Sequence, residues 1–137
     1  MFHYLCQTII FTFNNSINFT GEKMVTNLTY LQKMTDGNAS VIKEMIDLFS
    51  GQVDEYTEEM KRCLEAREWK LLANIAHKAK SSVAIMGMED MAASLKELEL
   101  KALESKDIDS YAGYIDNFIS TCEIAMKELN DFSEQNN

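Results

Sequence analysis

The chain has 137 residues and a formal net charge of −9, with 46% apolar and 26% charged residues. This length is enough for one hydrophobic core, and the composition is that of a globular domain rather than of a disordered chain. The acidic balance argues against nucleic acid or an anionic membrane surface as the main partner, because both attract cationic proteins.

Two further features of the composition bear on fold and compartment. The chain has no proline and only five glycines, which favours an all-α fold, because turns and strand edges normally use both residues. Its three cysteines, Cys6, Cys63 and Cys122, are spaced too widely for a CxxC metal or redox site, and an odd number cannot pair completely. Reduced thiols in a cytoplasmic protein are the better interpretation.

Residues 1–23 differ in composition from the rest of the chain. They are rich in Phe, Ile, Thr and Asn, almost uncharged, and without helical periodicity. Their apolar run from Thr8 to Phe13 is far shorter than the roughly 20 residues that span a bilayer, and no basic segment precedes it as in a signal peptide. We expect a disordered or loosely attached leader, or sequence upstream of a native start at Met24, followed by one domain over residues 24–137.

The first helices are marked by a clear turn signal. A short helix is predicted from Leu28 to Met34, followed by the turn 36–38, where Gly37 suits a left-handed conformation and Asn38 can cap the next helix. That next helix is predicted from Ala39 to Glu65. Its apolar stripe consists of Ile42, Met45, Phe49, Val53, Tyr56, Met60 and Cys63.

Three more amphipathic segments complete the pattern. A helix over residues 68–86 stops at Gly87, a second follows it, and a third is expected to be capped by Asp107. Four long helices with one apolar stripe each predict an antiparallel, up-down-up-down four-helix bundle, with the short helix covering one end. The three stripes are Leu72, Ile75, Ala76, Ala79, Val83 and Met86; Met91, Leu95, Leu98 and Ala102; and Ile108, Tyr111, Ile115, Phe118, Cys122, Ala125, Met126 and Leu129.

His77 is predicted to face away from the apolar stripe of its helix. No histidine, cysteine or carboxylate lies within a helical turn of it, so this helix offers no metal site and no acid/base pair. A solvated surface histidine is the ordinary interpretation of such a position. The neighbours favour another one, because small side chains leave the outer ring nitrogen accessible and Lys78 and Lys80 would attract a doubly negative group. The residues sharing its face are Lys70, Ala73, Asn74, Lys80, Ser81 and Ala84.

The segment AHKAKSSVAIMGMEDMAASLKELE, residues 76–99, resembles the signature of histidine-containing phosphotransfer (HPt) domains. That signature runs Ala-His-x-Leu-Lys-Gly-Ser, then Leu-Gly, then a helix ending in Leu-Glu, here Leu98-Glu99. The resemblance extends over residues 28 to about 132. The chain departs from the pattern at Ser81, where the family usually has glycine, and at Ala79, where it usually has leucine. Ser81 is still small, so access to the histidine is narrowed but kept.

The resemblance implies a set of roles for these residues. His77 would be the phosphoacceptor, Lys80 would hold the phosphoryl group, Lys78 would add charge, and Gly87 would end the helix. The remaining partner-binding surface is expected to comprise Lys70, Asn74, Ser81, Ser82, Ala84, Gly87 and Met88.

The resemblance also implies the reaction and the partners. A response-regulator receiver domain carrying a phosphoaspartate, alone or within a hybrid histidine kinase, would donate the phosphoryl group, and a second receiver would take it onward. No cofactor is expected on this chain, and Mg²⁺ would come with the receiver. No glycine-rich ATP loop is present, so autophosphorylation is not supported. A non-catalytic helical adaptor that binds a receiver or a partner helix through the same surface is the alternative, and the chain could also be one piece of a hybrid kinase.

Overall fold

A computed structural model describes residues 23–136. The expectation of a leader therefore lies outside the described residues, except for Lys23. The described part is helical, with five α-helices that we label in chain order: α1 (Thr29–Met34), α2 (Ala39–Ala66), α3 (Trp69–Ile85), α4 (Glu89–Leu103) and α5 (Tyr111–Gln135). The all-α prediction is confirmed for this part of the chain.

The four long helices pack around one core. Helix α2 contacts α3 and α5, and α4 also contacts α3 and α5, so each long helix has two neighbours. The predicted stripes of α3 and α4 are buried throughout. In α2 the stripe is shifted slightly, because Ile46 is buried while Met45 and Tyr56 are only half-buried.

Local signals set most of the helix ends. The Asn38 side chain accepts hydrogen bonds from the backbone N–H groups of Ser40 and Val41, at 3.1 and 3.3 Å, and so caps α2 as predicted. Gly37 has a φ of 72° and Gly87 has a φ of 69°, the left-handed conformation that ends a helix at low cost when the residue is glycine.

The start of α5 differs from the prediction. Asp107 has a φ of 52° and makes no capping hydrogen bond with its side chain. Instead, its backbone carbonyl accepts from the Ser110 N–H and hydroxyl, at 2.8 and 2.6 Å, in a short 3₁₀ turn over Ile108–Ser110. The prediction that Asp107 caps the helix is therefore wrong, and α5 begins three residues later than its apolar pattern suggested.

The segment before α1 is fixed to the bundle at two points. The Glu128 carboxylate on α5 accepts from the N–H groups of Val25 and Thr26 and from the Thr26 hydroxyl, at 3.0, 2.9 and 2.7 Å. The next residue, Asn27, donates its N–H to the carbonyl of Met86 at 3.0 Å. These contacts anchor the segment across the end of α3, away from the middle of that helix where His77 lies.

Candidate functional site

His77 stands near the middle of α3 with its side chain 58% exposed. The apolar residues of α3 point the other way and are buried, so the helix presents the imidazole to solvent on its outer face. A ring in this position is accessible to a large partner, as the sequence predicted.

The imidazole has a carboxylate partner from the neighbouring helix. Nδ1 of His77 lies 2.8 Å from Oε1 of Glu99 on α4. A carboxylate only accepts hydrogen bonds, so Nδ1 carries the proton and donates it, and in the neutral ring the lone pair is left on Nε2. The nitrogen that faces away from Glu99 is therefore the nucleophilic one.

The same carboxylate also binds Lys80. Nζ of Lys80 donates to the second oxygen, Oε2 of Glu99, at 3.3 Å. Glu99 is only 17% exposed and Lys80 27% exposed, so this ion pair is better shielded from water than the imidazole. An ammonium has three donors, and the Glu99 contact leaves two of them for a phosphoryl group on the histidine.

Sequence analysis missed the role of Glu99. Within α3 no carboxylate can reach His77, and the partner lies 22 positions along the chain, on the helix that returns beside α3. The available signal is the Leu98-Glu99 pair in the family signature, which the sequence marks only as the end of a helix.

The other predicted surface residues fall into three groups. Lys70, Asn74, Ser81 and Ala84 are exposed on the His77 side of α3, and Lys78 is exposed on its flank. Ser82 is half-buried, with its hydroxyl 3.1 Å from that of Tyr56 on α2, so it joins two helices rather than facing a partner.

The last group consists of Gly87 and Met88, which are not placed to meet a partner at His77. Gly87 packs against the backbone of Asn27, where a Cβ would overlap the Asn27 carbonyl oxygen. The side chain of Met88 is 1% exposed and belongs to the core. The prediction that Met88 borders the binding surface is wrong, because the chain turns at Gly87 and directs the next side chain inward.

The described residues offer little chemistry beyond this site. Within residues 23–136 no group of three or more His, Cys, Asp or Glu side chains could hold a metal ion. None of the helices in that range is long and apolar enough to cross a membrane.

Comparison with known families gives a match that covers the site. The family model described as the Hpt domain matches residues 44–132, a range that includes α3, α4 and all three residues of the site. The chain belongs to the Hpt domain family. Hpt domains carry out histidine-containing phosphotransfer in two-component phosphorelays, where they interact with receiver domains and histidine kinases. A search of curated proteins and a search of solved structures each found no match.

Proposed function

We propose that this domain is a phosphorelay intermediate that carries a phosphoryl group on Nε2 of His77. The observation that carries the proposal is the contact of 2.8 Å between Glu99 and Nδ1 of an otherwise exposed imidazole. That contact fixes the tautomer with Nε2 unprotonated and oriented outward, which is what a histidine nucleophile needs.

The transfer step follows from this geometry. The Nε2 lone pair attacks the phosphorus of a receiver phosphoaspartate, the N–P bond forms, and the P–O bond to the aspartate breaks with the carboxylate as leaving group. Positive charge develops on the ring, where the Glu99 carboxylate stabilises it through Nδ1–H. Lys80 supports the phosphoryl oxygens, and Lys78 adds to the local positive potential. Onward transfer to a second receiver is the same step in reverse.

The sequence contains no glycine-rich ATP-binding loop, so we propose that the phosphoryl group comes from a partner. Phosphoryl transfer depends mainly on positioning and charge neutralisation. We therefore assign Mg²⁺ to the receiver and no cofactor to this chain, and we place the domain in the cytoplasm with its receivers.

We also infer that residues 24–137 form one antiparallel, up-down-up-down four-helix bundle. Short turns join α2 to α3 and α3 to α4, and each long helix touches two others. Both features support this arrangement. The bundle brings Glu99 beside His77 because α4 returns along α3.

The test is transfer of labelled phosphate from a panel of phosphorylated receiver domains. Wild type should acquire acid-labile phosphate, and His77→Gln should acquire none. Equal labelling of the two proteins would overturn the proposal. If no receiver labels wild type but receivers still bind it, the non-catalytic adaptor would be the correct function.

A further inference from the structure

Charge is distributed unevenly among the four long helices. Helix α3 has three lysines and no Asp or Glu, although the whole chain has a net charge of −9. By contrast, α2 has three basic and seven acidic residues, α4 has two and four, and α5 has one and five. A partner that is anionic at its contact point is therefore attracted by α3 and repelled by the other long helices.

The lysines on α3 differ in whether a carboxylate pairs with them. Lys80 is neutralised by Glu99, whereas Lys70 and Lys78 are exposed and have no ion-pair partner among the described residues. Lys70 lies two helical turns before His77 on the same face, about 10 Å away along the axis. This is too far to touch a phosphoryl group on His77, so its charge acts on the partner's surface.

Two exposed leucines lie on α4 within one helical turn of Glu99, the residue that contacts His77. Leu100 and Leu103 are 54% and 53% exposed, and Leu103 lies one helical turn beyond Glu99. Since Glu99 contacts His77, that turn places Leu103 on the flank of α4 that borders α3. Lys96 is exposed and completes the i, i+4, i+7 row with the two leucines. We call Lys70, His77, Lys96, Leu100 and Leu103 the α3–α4 face.

The opposite flank of α3, which faces α2, offers less apolar surface to a partner. The part of α2 that follows Tyr56 has no exposed large apolar residue. Its exposed charges are mixed: Glu58, Glu59 and Glu65 against Lys61 and Arg62. Leu71 on that flank of α3 is only 38% exposed. Apolar contact thus favours the α4 side.

We infer that the receiver docks across the α3–α4 face, with its phosphoaspartate over His77 and an apolar patch on Leu100 and Leu103. The inference rests on the proposed function and adds the side of His77 on which the partner sits. A receiver fits because it is anionic at the phosphorylated carboxylate that must reach Nε2. A second copy of this chain fits poorly, because a symmetric contact would oppose the uncompensated lysines of both copies.

The apolar part is tested by Leu100→Ser and Leu103→Ser, with Ile124→Ser on α5 as the matched control, since Ile124 is 51% exposed. Transfer from a receiver phosphorylated with acetyl phosphate is measured against receiver concentration. Each leucine variant should raise KM about tenfold. Ile124→Ser should match wild type, and thermal melts should show that all three variants are folded.

The charge part is tested by Lys70→Glu, with Lys127→Glu on α5 as the control of equal charge change. Lys70→Glu should lower kcat/KM and flatten its dependence on salt more than Lys127→Glu does, because only Lys70 lies on the docking face.

The possible results distinguish the docking inference from the proposed function. If wild type is labelled but the leucine variants behave as Ile124→Ser does, docking on this face is wrong while the proposed function stands. A leucine variant that changes the sedimentation of the protein alone would make the face a self-association surface and also overturn the inference. If wild type is not labelled at all, the proposed function fails and this inference fails with it.

Discussion

Glu99→Gln separates the charge of the carboxylate from its position beside the imidazole. The amide has the same shape, and its oxygen can still accept from Nδ1–H, so the tautomer of His77 should be kept. What is lost is the negative charge 2.8 Å from the ring. The variant therefore measures how far that charge stabilises the imidazole as it becomes positive during transfer.

The expected effect follows from the change in hydrogen-bond type. A hydrogen bond to a charged group contributes about 1.5–3 kcal/mol and a neutral one about 1 kcal/mol, so the substitution costs roughly 0.5–2 kcal/mol in the transition state. Because about 1.4 kcal/mol corresponds to a factor of ten, the rate at saturating receiver should fall about tenfold. Affinity should not weaken, since the site becomes more positive once Lys80 loses its counter-ion.

The assay is rapid-quench transfer from a phosphorylated receiver, which gives kcat and KM separately. Glu97→Gln is the matched control, because Glu97 is also on α4 but accepts from the Tyr114 hydroxyl on α5, at 2.9 Å. Glu97→Gln should leave both constants unchanged. An unchanged kcat in Glu99→Gln, or a rise in KM alone, would refute the role assigned to this carboxylate.

Three further predictions concern charge, backbone and pH. Lys80→Ala should slow transfer about tenfold while the free energy of unfolding changes by less than about 1 kcal/mol, as measured by stopped flow and urea titration. Gly87→Ala should destabilise the fold by more than about 2 kcal/mol in urea, because it adds a clash with Asn27 to an unfavourable φ, whereas Gly37→Ala has only the φ penalty. Equal losses in the two glycine variants would contradict the packing argument. Burial raises the pKa of the Cys122 thiol to about 12, so the folded state keeps a proton that the unfolded state releases. The free energy of unfolding is then unaffected by this thiol below about pH 9. Between about pH 9 and pH 12 it should fall by about 1.4 kcal/mol per pH unit, a slope that Cys122→Ala should reduce.

The parts of the fold that sequence predicted well are those set by local chemistry. The turn at Gly37 and Asn38 and the end of α3 at Gly87 depend on residues within a few positions, and the structure has them as predicted. The start of α5 was missed because a 3₁₀ turn continues the apolar pattern before the α-helix begins. Sequence periodicity does not distinguish these two kinds of helix over three residues.

The candidate site also combines features that the sequence predicts with features that it does not. Exposure of His77 follows from its angle to the apolar stripe of one helix, so it could be predicted. The Glu99 contact depends on how α4 is placed against α3, and the inward turn of Met88 depends on the loop between them. Neither follows from the periodicity of a single segment, because both are set by tertiary packing.

The most direct test of phosphotransfer through His77 is to locate the phosphate on the imidazole itself. Wild type phosphorylated by a receiver would be examined by ³¹P and ¹⁵N NMR at neutral to alkaline pH, with His77→Gln as the reference. Because Glu99 occupies Nδ1, we expect a single phosphorus bound to Nε2 of His77. Phosphate on Nδ1, or on any other residue, would contradict it.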